Sequence, residues 1–394
     1  MALHTALAKV IASVASNPFQ RTRLAGVGDI ASIADFTARV PFTTKADIVA
    51  DFAAHPPHGS NLTFPRASYT HFCQTSGTTA QPLVILDTVE SWDWMLDSWA
   101  HIYRAGGIEP GAVVYFAFSF GPFLGFWTAF EGAAKYGCLC IPGGGLSSAA
   151  RLRAIAENRA EVLCCTPTYA LHLAEVAASE RLPLPDCVRK IVVAGEPGGS
   201  LPEVRKRISA AWHGAEVLDH YGMTEVGPVA FQRTREADTL RILDDRYFSE
   251  IIHPQTLQSV GVGEIGELVL TPLGRTAWPL LRYRTGDLVR RGTDKLDGGI
   301  LGRADDMLVI RGVNIYPSAV DAVVRSIPEV AEYRVTVASR GEMHELSVDI
   351  ETTDDTAPSR LERAFTAAFT LRIPVTRVPS LPRFELKARR WQRE

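Results

Sequence analysis

From residue 112 onward, short apolar runs alternate with segments of helical periodicity. Residues 113–117, 138–142, 162–165 and 190–194 read as buried strands, with helices at 127–135, 149–158 and 168–178 between them. Near-continuous apolar strands separated by helices at this spacing predict a mostly parallel sheet covered on both faces. Such sheets bind ligands beyond the carboxyl ends of their strands. Two polar or glycine-rich stretches fall at such ends: Gly195-Glu196-Pro197-Gly198-Gly199, and a loop from Asp219 to Glu225 after a strand at 216–218.

Upstream, residues 1–68 read as helices and loops. An amphipathic helix opens the chain, and a threonine-capped helix start lies at 43–47. Residues 92–107 suit a helix whose aromatic stripe faces the core. A β-prone run at 69–73 and an apolar run at 83–86 bracket Ser76, Gly77, Thr78 and Thr79. Backbone N–H groups and hydroxyls in such a loop can wrap a polyphosphate, although the Gly-Lys-Ser/Thr ending of the kinase and GTPase loop is missing. From 247 to 289 the texture is β-rich with many turns, predicting a small antiparallel or barrel-like unit. Residues from about 302 carry β and helical patterns of their own, as a separate small domain would.

Composition narrows the class. A chain of 394 residues divides naturally into two or three domains. A net charge of −3 supplies no basic field for nucleic acid. No apolar run approaches the ~20 residues of a membrane span. The six cysteines form no paired CxxC pattern, so free buried thiols in a reducing cytoplasm are expected.

Four motifs occur in order: Thr75-Ser76-Gly77-Thr78-Thr79-x-x-Pro82, Tyr221-Gly222-Met223-Thr224-Glu225, Tyr283-Arg284-Thr285-Gly286-Asp287, and Gly302-Arg303-x-Asp305-Asp306. Together they resemble the adenylate-forming superfamily of acyl- and aryl-CoA synthetases, luciferases and adenylation domains. Within it the stretch from Val40 to Lys45, the run from Met307 to Pro317 and the ending from Leu381 to Arg390 are most similar to the phenylacetate-CoA ligase type. The resemblance runs from about residue 40 to the C-terminus. It implies a large N-terminal α/β domain (1–301) with parallel sheets and a β-rich subdomain, and a small mobile C-terminal α+β domain (302–394).

The implied reaction converts a carboxylate and ATP to acyl-AMP, then passes the acyl group to a thiol. Its first half gathers negative charge around phosphorus and needs cations and hydrogen-bond donors. By resemblance, Ser76 to Thr79 hold the β- and γ-phosphates, Thr224 the α-phosphate and Glu225 a Mg²⁺ ion. Gly195, Glu196 and Pro197 lie along the purine, Asp219 accepts from the adenine amino group, and Tyr221 with Gly222 flanks the nucleotide or the acyl pocket. Asp287 takes the ribose hydroxyls, Arg303 the ribose or phosphate, and Asp305 is the hinge of domain rotation. Lys387 bridges the carboxylate and the α-phosphate during adenylation. The sequence departs from the family at Ala80 and Gln81, where glycine and often lysine stand.

Phe118, Phe120 and Phe123, with Phe126, Gly144, Gly145 and Tyr221, suit a pocket for a flat aromatic acid. Trp127 and Tyr136 are assigned to the core, and His220 is a candidate polar contact to a ring substituent. The expected partners are an aromatic acid (benzoate, anthranilate or phenylacetate-like), ATP and CoA. A carrier protein or an amine remains open as acceptor, as does a non-catalytic nucleotide-binding homologue. A homodimer is the default expectation.

Overall fold

The computed structural model describes residues 2–75, 82–196, 198–236, 238–304, 308–310, 313–340, 343–383 and 390–393. The chain opens with α1 (Ala2–Ser13), α2 (Pro18–Arg23), α3 (Ile33–Arg39) and α4 (Lys45–Ala54). A reciprocal capping box starts α4: the Asp47 N–H donates to Thr44 Oγ1 at 3.2 Å, and the Thr44 N–H donates to the Asp47 carboxylate at 2.7 Å. Next, β1 (Tyr69–Gln74) and β2 (Val84–Thr88) form an antiparallel pair on either side of the Ser/Thr loop. Helix α5 (Val89–Ala105) then buries Trp92, Met95, Leu96, Trp99, Ile102 and Tyr103 along one stripe.

Alternation follows as the pattern requires: β3 (Val113–Phe116), α6 (Leu124–Tyr136), β4 (Leu139–Pro142), α7 (Ser148–Glu157), β5 (Val162–Cys165), α8 (Pro167–Ser179), β6 (Lys190–Val193), α9 (Pro202–Ala211) and β7 (Glu216–Met223). Six further strands extend the sheet beyond β7: β8 (Gly227–Phe231), β9 (Thr239–Ile242), β10 (Tyr247–Ile252), β11 (Ile265–Pro272), β12 (Tyr283–Arg291) and β13 (Leu296–Arg303). Among the described residues the order is β10-β11-β12-β13-β9-β8-β7-β6-β5-β3-β4. Every residue of β5 is buried, as a central parallel strand with helices on both sides demands.

Two expectations need correction. The stretch from Asp219 to Met223 is strand, not loop: β7 bonds to parallel β6 through Glu216 to Asp219, then to antiparallel β8 through His220 to Met223. A turn at 224–226 folds β8 back alongside, so the polar, glycine-containing second half finds a ladder partner that its composition does not announce. The β-rich stretch is antiparallel as expected, β10, β11 and β12 pairing in succession, but it is no separate unit: it extends the same sheet on the far side of β7.

The remaining residues form β14 (Leu308–Ile310), β15 (Val313–Ile315), α10 (Pro317–Arg325), β16 (Val330–Arg340), β17 (Met343–Thr352), α11 (Ala357–Phe369), β18 (Val375–Val378) and β19 (Trp391–Arg393). Val320 and Val324 of α10 with Leu361 and Phe365 of α11 pack on Val335, Val348 and Ile350, giving an apolar cluster that, among the described residues, draws on none before Leu308. Gly302 and Arg303 are still paired to β12 in the large sheet.

All six cysteines are free, with Cys140 and Cys187 half-buried and the others buried. Burial pushes the Cys73 and Cys140 thiols up to about 12, leaving them protonated and inert. Trp127 is not core: it is 38% exposed, because α6 turns that face outward. Tyr136 is half-buried, its ring 6.3 Å from that of Tyr103.

Candidate active site

Alternation along β7 sends successive side chains to opposite faces of the sheet. On one face, the Tyr221 hydroxyl donates to Asp287 Oδ2 at 2.6 Å, and Arg303 Nη1 lies 3.3 Å from Asp287 Oδ1. Asp287 comes from β12 and Arg303 from the end of β13, which pair directly at those two positions. Three residues separated by up to 82 positions thus meet as one hydrogen-bonded group, with Asp287 buried at 7% exposure and Arg303 partly open. Burial, then the Asp287 charge, holds the Tyr221 phenol far above its ordinary value, so it remains a donor.

Asp219 lies on the same face. Its carboxylate accepts from the Ser200 hydroxyl, and its N–H donates to Gln232 Oε1 at 3.0 Å. Burial pushes the Asp219 carboxyl up to about 6, against the pull of Ser200 and Arg205. Gly199 is obligatory there: a Cβ would stand 2.2 Å from Asp219 Oδ1. Gly195 is exposed after β6, and Glu196 Oε1 accepts from the Thr168 N–H at 2.8 Å at the start of α8. Pro197 lies outside the described residues, as do Ser76, Gly77, Thr78, Thr79, Asp305 and Lys387.

Thr224 and Glu225 occupy the turn after β7. The Thr224 carbonyl accepts from Arg275 Nη1 at 2.8 Å, and Arg275 is held by both oxygens of buried Asp87 at 2.9 and 2.5 Å. Glu225 is buried and starts no helix. The Tyr283 hydroxyl hydrogen-bonds to it, and Lys45 Nζ stands 3.8 Å from its Oε1. Lys45 is delivered by backbone pairing: the Thr43 N–H donates to the Arg282 carbonyl at 3.0 Å and the Arg284 N–H to the Thr43 carbonyl at 2.9 Å. Among the described residues no three His, Cys, Asp or Glu side chains gather as a ready-made cation site. A magnesium ion at Glu225 would therefore draw its other oxygens from phosphate and water, its usual habit with nucleotides.

The aromatic residues after β3 come together as expected. Phe118 stacks on Phe126 at 4.4 Å, Phe123 meets Phe126 edge-on at 5.8 Å, and Phe120 lies 6.3 Å from Phe118. Gly144 packs beside Phe120, while Gly145 is exposed. On the opposite face of β7 from Tyr221, His220 lies buried against Trp99 of α5 with ring centroids 4.2 Å apart. Burial pushes its imidazole down to about 3, so it is neutral at physiological pH.

The small C-terminal unit reaches this region through polar contacts. Arg383 Nε lies 3.2 Å from Glu175 Oε2 of α8, and Arg390 Nη2 donates to Thr168 Oγ1 at 3.4 Å. Arg390 is anchored in its own unit by Glu332 at 2.6 Å. These contacts flank the segment that contains Lys387.

Sequence reasoning missed Lys45, Tyr283, Arg275, Ser200 and Trp99 as neighbours of the site. The Thr-Thr-Lys helix start was visible, but nothing local says that Lys45 meets Glu225 across 180 residues.

The residues 43–272 match the AMP-binding enzyme family, and residues 312–392 match the AMP-binding enzyme C-terminal domain. Phenylacetate-coenzyme A ligase of Thermus thermophilus is 33% identical over 80% of this chain and 72% of its own length, and that of Pseudomonas putida 32% identical over 85% and 77%. The crystal structure of 2-hydroxyisobutyryl-CoA ligase in the postadenylation state, in complex with 2-HIB-AMP, superimposes with a TM-score of 0.91 at 29% identity, covering 98% of this chain and 87% of that one. The same ligase in the thioesterification state, covering the same shares, gives 0.72 at 30% identity. The chain therefore belongs to the AMP-binding enzyme family of adenylate-forming enzymes, as a phenylacetate-CoA ligase-like, AMP-forming acid–CoA ligase.

Proposed function

We propose that this chain activates a small aromatic carboxylic acid with ATP and transfers the acyl group to CoA. One observation carries the reading: Tyr221, Thr224 and Glu225, on and just after β7, sit beside Asp287 and Arg303 where the parallel strands end. Asp287 accepts from the ribose hydroxyls, with Tyr221 and Arg303 holding the carboxylate in place. Thr224 donates to the α-phosphate. Lys45, 3.8 Å from Glu225, brings positive charge to the phosphate end. Ser76 to Thr79 hold the distal phosphates, and Gly195, Glu196 and Pro197 line the purine. Magnesium, held by Glu225, supplies charge neutralisation when bound. The paired phenylalanines 118, 120, 123 and 126 favour a flat ring over an aliphatic chain.

In the first half-reaction a carboxylate oxygen bonds to the α-phosphorus and the bond to the β-phosphate oxygen breaks, releasing pyrophosphate. Lys387 spans the incoming carboxylate and the α-phosphate. In the second, a thiolate bonds to the acyl carbon, and the carbon–oxygen bond to AMP breaks. The small unit rotates about Asp305 between the halves. The higher likeness to the postadenylation structure, together with the contacts of Arg383 and Arg390 to α8, supports an arrangement suited to the first half.

The test is pyrophosphate release with Mg-ATP across a panel of small aromatic and aliphatic acids, with and without CoA. Release with an aromatic acid, and its CoA thioester by mass spectrometry, is the expected outcome. Release only with aliphatic acids would remove the aromatic assignment. Acyl-AMP without thioester would transfer the acceptor role to a carrier protein or an amine.

A further inference from the structure

Arg275 and Asp87 form the most deeply buried ion pair among the described residues, their side chains 0% and 1% exposed. Arg275 Nε lies 2.9 Å from Asp87 Oδ1 and Nη2 lies 2.5 Å from Oδ2, while Nη1 donates to the Thr224 carbonyl at 2.8 Å. Burial strips both charges of their hydration, and apolar side chains of equal volume are usually as stable or more so. Stability alone therefore does not account for the pair. An apolar substitute would also leave the Thr224 carbonyl without its donor.

What the pair joins does account for it. Asp87 lies on β2 opposite His71 of β1, and the ladder continues through Cys73–Ile85 and Gln74–Val84. Thr75 and Leu83 close it: the Thr75 N–H donates to the Leu83 carbonyl and the Leu83 N–H to Thr75 Oγ1, both at 3.0 Å. This hairpin carries the segment 76–79, yet among the described residues it shares no ladder with the eleven-stranded sheet. Its place relative to β7 is set by side chains and loops.

Arg275 stands in the connection between β11 and β12. One edge of its guanidinium grips the hairpin, and the remaining nitrogen grips the turn after β7. The connection is itself pinned. The Tyr69 hydroxyl of β1 donates to the Ala277 carbonyl at 2.8 Å, and a Cβ on Gly274 would stand 2.2 Å from Trp94 Nε1 of α5. The far end of the turn is held as well, the Tyr247 hydroxyl donating to the Val226 carbonyl at 2.8 Å. A guanidinium is planar with its donors at fixed angles, so hairpin and turn cannot shift apart without breaking one of its three bonds.

We propose that Asp87 and Arg275 are positioning residues for the triphosphate, fixing the spacing between the loop at Ser76 to Thr79 and the turn at Thr224 and Glu225. Buried as they are, both act through the segments they hold. The inference rests on the reading above that the loop takes the distal phosphates and Thr224 the α-phosphate. Loss of the spacing weakens the grip on ATP, which spans both segments, and spares AMP, which reaches only the turn.

The experiment is calorimetric binding of Mg-ATP and of AMP to the full chain, with no acid present. The wild type should bind ATP more tightly than AMP. Arg275→Lys keeps the charge and loses the fork. It should weaken ATP by about tenfold, the effect of one charge-assisted hydrogen bond, and leave AMP within about twofold. Asp87→Leu combined with Arg275→Met replaces the pair by apolar volume, and carries the test should Arg275→Lys fail to fold. Its urea midpoint should stay near wild type, while the selective loss of ATP persists. Equal loss of ATP and AMP, wild-type ATP binding in the double variant, or a midpoint lowered in both variants overturns the proposal and leaves the pair structural. A wild type that binds ATP no more tightly than AMP overturns the phosphate reading itself, and this inference with it.

Discussion

The two walls of the site are built by different means. The wall on the large sheet is knitted from buried hydrogen bonds and ion pairs: Tyr221 to Asp287, Ser200 to Asp219, and Arg275 between Asp87 and the Thr224 carbonyl. The small C-terminal unit has its own apolar core and meets the large one where α10 packs beside α9 and β13, with polar contacts at Arg383–Glu175, where both side chains are about a third or more exposed, and at the long Arg390–Thr168 hydrogen bond. Buried pairs in low dielectric fix geometry, and breaking one strands its partner. Exposed pairs are worth little and exchange readily with water. A hydrogen-bonded nucleotide wall facing a unit with a core of its own suits two reaction steps that need different arrangements of the same parts.

The sharpest way to break the comparison is Lys387→Ala. It should reduce acyl-AMP formation by roughly 10²–10³-fold, the usual loss for one electrostatic stabiliser, while the melting temperature and CoA transfer from supplied acyl-AMP stay near wild type. Equal loss in both steps would move the lysine out of the first half-reaction. Asp287→Ala should behave differently, because it acts on the knitted wall. ATP affinity should fall about 10–100-fold in calorimetry, and stability should fall by about 1–3 kcal/mol, since the Tyr221 hydroxyl loses its partner. Loss of affinity without loss of stability would show that wall to be less tightly coupled than its geometry indicates.

A smaller effect separates the two faces of β7 by pH. The His220 imidazole sits at about 3, below its ordinary 6.5, so the stability it contributes is full above 6.5 and is lost as pH falls towards 3. Asp219 is raised from 3.8 to about 6, so its ionisation lowers stability above 6, and stability returns as pH falls from 6 to 3.8. In the wild type these slopes oppose each other. His220→Leu leaves only the second, so its stability advantage should grow by about 1.4 kcal/mol for each pH unit below 6.5. Urea melts at pH 7, 6 and 5 measure this, and a constant offset would show that His220 is not desolvated. The smallest change belongs to the tether. Glu175→Ala should cost at most about 1 kcal/mol in stability, and should slow adenylation, not CoA transfer, in single-turnover assays.

Much of this architecture was legible because the relevant physics is local. The run 162–165 is apolar at every position and lies in the middle of the parallel strands, and Thr44 with Asp47 announces the start of α4. The residues from Asp219 to Met223 were misread because their polarity and glycine imitate a turn, while the ladder that makes them strand comes from β8. Long-range pairings were illegible for a related reason. Tyr221 and Asp287 are 66 residues apart and Arg275 and Asp87 are 188, and no periodicity encodes such encounters. The motif resemblance supplied the residues of the site, but not Lys45 beside Glu225 or the burial of His220 against Trp99.

The alternation along β7 has an evolutionary corollary. Asp219 and Tyr221 face one way, His220 and Gly222 the other, and all four ride on a single continuous strand. Inserting or deleting one residue upstream would exchange the two sets at a stroke, placing imidazole where a carboxylate belongs and phenol where glycine leaves room. Point substitution along β7 therefore alters one face of the strand at a time, whereas a one-residue change of length in β7 alters both. Laboratory libraries face the same asymmetry: substitution in β7 tests one face at a time, and a change of length disturbs both at once.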